Sequence, residues 1–259
     1  MHAPTLARRA AFTLVELSVV LVIIGLLAGG IMVGENLIKS SRLRATITQI
    51  NEIDTALNAF RTQYHGIPGD LSTANQFWPA AVPGNGDGHV SYTAAGSLCP
   101  GVYGTTDHPD CGDFTGERSE FFKQLGLSGL ANGYDNTPVL GKGYPAIKMH
   151  PDQGMVVTGA WPGNLGTNMP VANVALDGLY LYMGVCNPGA IGGSGYNDCA
   201  IFVPDEAWNI DTKLDDGNPG TGIVLSESFN TTCTLGNLNT AYNLTSSNQE
   251  CNLLFSLSR

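Results

Sequence analysis

The feature that most constrains this chain is a long apolar run near its N-terminus. Of the 23 residues in the range 12–34, only Glu16 is ionisable, and Arg8 and Arg9 lie just before the run. A helix rises about 1.5 Å per residue, so the run reaches roughly 35 Å and can span the apolar core of a bilayer. An intramembrane carboxylate is costly and usually serves a function with a nearby partner. The sequence therefore predicts a transmembrane helix over 12–34 with a functional Glu16.

At the start of the run, two arginines and two alanines lead into Phe-Thr-Leu-Val-Glu-Leu. This motif resembles the processing site of type IV pilins and type II secretion pseudopilins, and Ala11 stands where that family usually has glycine. The resemblance implies that prepilin peptidase removes residues 1–11 as a leader, cutting between Ala11 and Phe12. It also implies N-methylation of the new amine on Phe12, and it assigns Glu16 a role in assembly.

Two simpler interpretations of the run are a secretory signal peptide and a plain signal anchor. A signal peptide has an apolar region of about 7–15 residues closed by a small-residue cleavage site. This run is longer and lacks a clean site of that kind. A signal anchor fits the length, so it stays open beside the pilin-like interpretation.

Glu16 has a physical reason to pair with the mature N-terminus. It lies one helical turn from Phe12, within about 6 Å. Its carboxylate can therefore meet the amine of its own chain, or that of a neighbouring subunit in a staggered assembly. Such a pair offsets the cost of burying each charge.

Glycines in the run indicate close helix packing. Gly25 and Gly29 are four residues apart, as are Gly30 and Gly34. Small residues at this spacing let helices approach closely in lipid. The alternative is compositional, because glycine is generally more common in membrane helices.

Beyond the run, the chain predicts a continuation of the same helix with one apolar side. Apolar residues recur at three- and four-residue steps, which is a helical period: Ile47, Ile50, Ile53, Leu57, Phe60 and Tyr64. The opposite side is predicted to carry Gln49, Asn51, Glu52, Asn58 and Arg61. Glycine and proline in the range 65–69 end the pattern. We therefore expect an N-terminal helix within residues 12–65, followed by a globular head over 66–259.

The head is rich in glycine, asparagine, proline, serine and threonine, with short apolar runs between. Strands are predicted over 139–149, 154–161, 178–186, 199–203 and 222–225. Helices are predicted over 116–127 and 204–214. The expected fold class is α+β, in which a long N-terminal helix carries a loop-rich, disulfide-bonded head with a mainly antiparallel sheet.

The six cysteines all lie in the head, and an even count beyond a membrane span indicates disulfides in an oxidising compartment. Sequence alone permits 15 pairings. We predict the sequential one: Cys99–Cys111, Cys186–Cys199 and Cys233–Cys251. The last loop resembles the C-terminal disulfide loop of type IV pilins. A zinc site is the alternative, although the chain has no C-x-x-C spacing.

Charge indicates orientation and location. Arg8 and Arg9 favour a cytoplasmic N-terminus, while Lys39, Arg42 and Arg44 beyond the run compete with that orientation. The cysteines favour a head outside the cytoplasm. We therefore expect the chain in the bacterial inner membrane with its head in the periplasm, and then in a pilus or pseudopilus that can reach the cell surface.

Acidic residues suggest calcium as the one candidate ligand, with no cofactor required. The chain has 22 acidic and 12 basic residues and a net charge of −10, so it is expected to bind nucleic acids poorly. Asn85 and Asp87 sit at alternate positions, as at the start of a calcium loop. Asp211, Asp215 and Asp216 form a second cluster, and the family resemblance also points to calcium near the C-terminal loop. Ordinary turn chemistry is the alternative at both places.

No catalytic motif is present, and the five histidines are scattered along the chain, so the sequence predicts no enzyme. The resemblance implies a structural subunit of a type IV pilus or a type II secretion pseudopilus, assembled through its N-terminal helix. Its implied partners are like subunits or other pilins, prepilin peptidase, an inner-membrane assembly platform and the lipid bilayer. The alternative is a minor or tip subunit whose large head acts as an adhesin or ligand-binding module.

Overall fold

A single helix, α1, runs from Leu14 to Tyr64 and confirms the predicted N-terminal helix. The computed structural model describes residues 13–90, 117–135, 140–160, 178–185, 200–227, 233–235 and 241–257. Within these ranges lie three further helices, α2 (Ala74–Phe77), α3 (Glu117–Leu127) and α4 (Pro204–Leu214). They also hold four strands, β1 (Gly154–Ala160), β2 (Gly178–Val185), β3 (Val224–Glu227) and β4 (Asn252–Ser256). The chain divides into two compact units, Met1–Arg42 and Leu43–Arg259.

In the second unit, residues 43–64 of α1, here called the stem, bury the predicted apolar stripe. Ile50, Leu57 and Phe60 are fully buried, and Ile53 is nearly so. The stem ends where His65 takes a left-handed conformation with a φ of 54° and donates its N–H to the Arg61 carbonyl. A residue of this conformation commonly terminates a helix.

One stem residue departs from the predicted polar side. Gln49 is buried, because its amide nitrogen donates to the Ala146 carbonyl at 2.8 Å and its oxygen accepts the Lys148 N–H at 3.2 Å. Its placement on the solvent side was therefore wrong. A buried amide is tolerated when both its donor and its acceptor find partners.

The sheet is antiparallel throughout, in the order β1-β2-β4-β3. One row of side chains crosses all four strands, since Val157 pairs with Leu181, Leu181 with Phe255, and Phe255 with Val224. All four side chains are buried. Together with the stem and α3 they belong to one hydrophobic core, which confirms the α+β fold class.

Several predicted elements need correction. Residues 140–149 form turns and isolated bridges instead of a strand, because Gly141, Gly143 and Pro145 interrupt the run. Over 200–203 a single bridge, Phe202 to Cys251, replaces the predicted strand. The strand β4 and the short helix α2 were not predicted. The other predicted helices and strands are present, with ends that shift by two residues at most where the structure describes them.

Candidate functional site

The first turn of α1 is closed by a reciprocal pair of side chains. Glu16 accepts both the backbone N–H and the hydroxyl of Thr13, each at 2.9 Å, through the same Oε2 oxygen. The Thr13 hydroxyl oxygen in turn accepts the Glu16 N–H at 3.2 Å. This arrangement is a capping box, which satisfies donors that a helix start leaves unpaired. Thr13 was not predicted as a residue of this site, although the T-x-x-E spacing is a recognised signal for a capping box.

The capping box fixes where the only carboxylate of the apolar run lies. Glu16 is held against the backbone N–H of Thr13, the residue that directly follows Phe12. Ala11 and Phe12 themselves lie outside the described residues. A negative charge in this position also opposes the positive end of the helix dipole. The site therefore places an acceptor one residue from the predicted new N-terminus.

The first half of α1 is apolar on every side and exposed in the isolated chain. From Leu14 to Ile38, sixteen large apolar side chains are between 49% and 88% exposed. By length and composition, α1 is able to cross a membrane. An apolar surface of this extent does not persist in water and needs lipid or other helices around it.

Within the part of the chain that the structure describes, the four glycines of the run pack against no other element. A Cβ atom placed at Gly25, Gly29, Gly30 or Gly34 would meet nothing within 4 Å. The described residues therefore leave the surface at these positions open to a neighbouring helix. Their packing function stays a prediction.

The C-terminal cysteines form a disulfide that closes a loop against α4. Cys233 and Cys251 are bonded to each other, as predicted. Both are fully buried, which was not predicted. Within the loop, the Tyr242 hydroxyl donates to Asp211 of α4 at 2.8 Å. The disulfide and this buried hydrogen bond both hold the loop, together with backbone hydrogen bonds between Cys251 and Phe202. The predicted pairs Cys99–Cys111 and Cys186–Cys199 lie outside the described residues.

The second predicted calcium cluster is brought together at the end of α4. One carboxylate oxygen from each of Asp211, Asp215 and Asp216 lies within 4.8 Å of the others. Asp211 is fully buried, and burial raises its pKa to about 6, although hydrogen bonds from Tyr242 and Gly217 favour the charged form. A carboxylate oxygen can accept a hydrogen bond and still bind a cation. Calcium at this cluster stays a prediction.

Asp215 also has a role in the sheet. Its Oδ2 oxygen accepts the N–H of Ile223 and the N–H of Val224, where β3 begins. Because β3 is an edge strand, this carboxylate satisfies backbone donors that would otherwise be open. Ordinary structural chemistry thus accounts for part of this cluster.

The first predicted calcium loop is organised around a residue that the sequence analysis missed. Asp70 accepts the backbone N–H groups of Gly86, Asp87 and Gly88 at 2.6–3.2 Å. Burial raises the pKa of Asp70, and the three hydrogen bonds oppose that rise. Asn85 and Asp87 bond to each other across a turn. Asp70 is distant in sequence, so no local signal could have identified it.

Glu117 of α3 completes this first cluster. Its carboxylate accepts the Asn85 N–H at 2.9 Å and lies within 4.8 Å of the carboxylates of Asp70 and Asp87. Gln124, two turns along α3, accepts the Gly69 N–H at 2.8 Å. The loop is therefore tied to α3 by side chains, and its predicted calcium site stays untested.

A cleft of about 840 Å³ lies along the stem. One wall is formed by α1 residues in the range 48–59, and the other by α3 and the segment after it. Polar and aromatic side chains face it from several elements: Asn51, Glu52, Asn132, Tyr134 and Lys148. Its mixture of apolar and polar groups is typical of ligand clefts, although it is open to solvent.

Residues 6–32 match the family described as the prokaryotic N-terminal methylation motif. Over these N-terminal residues the match confirms the predicted resemblance to type IV pilins and pseudopilins. The motif implies processing by prepilin peptidase, membrane anchoring before assembly and filament formation with other pilins. No curated protein and no solved structure matches the chain.

Proposed function

We propose that this protein is a structural subunit of a type IV pilus or a type II secretion pseudopilus. The observation that carries the proposal is the apolar run at 12–34, largely exposed where the structure describes it, in which the single carboxylate, Glu16, lies at the start of the helix and inside the methylation motif. Prepilin peptidase cuts between Ala11 and Phe12 and methylates Phe12. The mature helix is then stored in the inner membrane, with the head in the periplasm, until an assembly platform moves it into the filament.

Glu16 serves assembly by neutralising an N-terminal amine. The capping box supports this role, because it holds the carboxylate at the end of the helix where the amine of Phe12 is generated. In the filament, the same carboxylate meets its own amine or that of an adjacent subunit. Leaving one charge of a buried pair without its partner costs about 3–5 kcal/mol.

The glycines at 25, 29, 30 and 34 support close contact between helices in the filament. They are exposed or half-exposed, and a Cβ atom placed at any of them would meet nothing within 4 Å among the described residues beyond its own helical turns. In lipid, small residues four apart allow backbone approach that larger side chains prevent. The helix surface that contacts lipid in the membrane is therefore the same surface that packs against other subunits in the filament.

The proposal is tested by replacing Glu16 with alanine in cells that carry the assembly machinery. We expect Glu16→Ala to remain membrane-inserted and to lower the yield of sheared filaments by more than about tenfold. Ser18→Ala, another polar-to-alanine change in the same helix, is the matched control and should assemble normally. Normal filament yield from Glu16→Ala would contradict the proposed role.

A second candidate function is a minor or tip subunit whose head binds a surface or a ligand. The open cleft along the stem favours it, since Tyr134 provides an aromatic ring there beside amide and charged groups. Binding of the purified protein to target cells, lost on Tyr134→Ala and kept on Asn58→Ala, would support this candidate. Abundance of the chain along the whole filament would favour the bulk structural role instead.

A further inference from the structure

Two basic side chains follow the apolar half of α1 and are not used by the proposed assembly role. Lys39 and Arg42, here called the basic pair, are exposed and lie on the same helix three residues apart. Residues three apart on a helix project from neighbouring positions of one side. Glu35 precedes Lys39 by one turn, and the next acidic residue along the chain is Glu52.

The basic pair lies at the depth where a membrane changes from hydrocarbon to headgroups. From Leu14 to Lys39 the helix rises about 37 Å, and Arg42 lies about 4–5 Å further along. A bilayer is about 30 Å thick across its hydrocarbon and about 40–45 Å with its headgroup layers. With the helix start at one face, the basic pair therefore reaches the phosphate layer of the opposite face.

The charges of the head give a physical reason for a contact between the basic pair and the membrane headgroups. The head, residues 66–259, contains 18 acidic and 6 basic side chains, so an anionic membrane repels it. Basic residues near a membrane helix usually favour the cytoplasmic side, so a basic pair on the translocated side opposes the expected orientation. Attraction between basic side chains and anionic headgroups offsets both effects at short range.

We propose that Lys39 and Arg42 bind the headgroups of anionic phospholipids at the membrane face that carries the head. This inference rests on the membrane-anchored state in the proposed function. The contact holds the waiting subunit at a fixed depth in the membrane. It must be released when the helix leaves the bilayer, so it acts on the stored subunit and not on the filament.

The test uses the full mature chain reconstituted in mixed vesicles of phosphatidylglycerol and phosphatidylcholine. Spin-labelled versions of each lipid report which lipid contacts the protein. The variant is Lys39→Gln with Arg42→Gln. The matched control is Lys142→Gln with Lys213→Gln, which removes the same charge from two exposed lysines of the head. Resistance to carbonate extraction is measured on every sample, because it reports insertion separately.

We expect the native chain and the control to favour phosphatidylglycerol by about twofold or more at low salt. The preference should disappear in the basic-pair variant, and in every sample at about 1 M salt, because salt screens exposed charges. Insertion should be unchanged in all three. An inserted native chain without a preference, or a variant that keeps it, would overturn the inference alone.

Two further outcomes would also overturn it. If carbonate extracts the native chain, the membrane-anchored function fails and the inference fails with it. If the native chain shows no lipid preference and the variant instead loses crosslinks between copies, the basic pair serves the acidic head of a second copy.

Discussion

The head is expected to lose stability as the pH rises from about 4 to 7, and replacing Asp211 with asparagine should abolish much of that loss. Asp211 is fully buried and accepts hydrogen bonds from the Tyr242 hydroxyl at 2.8 Å and the Gly217 N–H at 3.0 Å. Burial nevertheless raises its pKa from 3.8 to about 6, and the charges of Asp215 and Asp216 add to the rise.

The sign and size of the effect follow from this shift. A carboxyl group with a higher pKa in the folded protein favours folding while it is protonated, below about pH 4. That contribution is lost as the pH rises through about 6 and is gone near pH 7. A shift of about two units corresponds to about 3 kcal/mol. Asparagine keeps the shape of the side chain and carries no charge, so this contribution is absent from the variant.

The assay is urea unfolding of the compact unit Leu43–Arg259 from pH 4 to pH 7, with a chelator present. Over this range the free energy of unfolding of the native protein should fall by about 3 kcal/mol more than that of Asp211→Asn. Asp152→Asn, the same change at an exposed turn, should keep the native pH dependence. The reasoning is refuted if the native protein and Asp211→Asn lose stability in parallel across the whole range.

Three other predictions concern the stem, the acidic cluster and the disulfide. Phe60→Ala should lower the free energy of unfolding in urea by about 3–5 kcal/mol, because Phe60 is fully buried, while exposed Asn58→Ala should change it by under about 0.5 kcal/mol. Calcium should raise the thermal midpoint of the native protein at pH 7 and not that of Asp215→Asn; an unmoved native midpoint would rule out calcium there. Replacing both Cys233 and Cys251 with alanine should cost about 3 kcal/mol in urea, and unchanged stability would contradict a stabilising bond.

The sequence predicts α1 well because the helix has a strong local pattern. Apolar residues such as Ile50, Leu57 and Phe60 recur at helical spacing, and the glycines and proline after Tyr64 end the pattern within a few residues. The exception is Gln49, whose partners Ala146 and Lys148 lie nearly a hundred residues away. A local pattern cannot report a partner at that distance.

Strand β4 could not be predicted from its local sequence either. In β4 the apolar stretch is only Leu253 to Phe255, without alternation, because the strand is buried on both faces. A short apolar run of this kind carries no period that distinguishes a strand from other buried segments. Its place between β2 and β3 depends on pairing with residues far earlier in the chain.

Some residues of the candidate site could be predicted from the sequence, and others could not. Glu16 and the cleavage residues stand out from the sequence, because a single charge in an apolar run is rare. Thr13 could have been found from its spacing to Glu16 alone. Asp70 and Glu117 could not, because the fold brings them to Asp87 from separate elements.

The central claim is that the chain is a leader-cleaved filament subunit, and intact mass of the protein in sheared filaments tests it most directly. The account predicts residues 12–259 carrying one added methyl group, with the disulfide between Cys233 and Cys251 intact. Replacing Glu16 with alanine should leave this mature mass in the membrane fraction and remove it from the filaments. An uncut chain, a cut at another position, or a mature chain that never enters a filament under any assembly system would contradict the account.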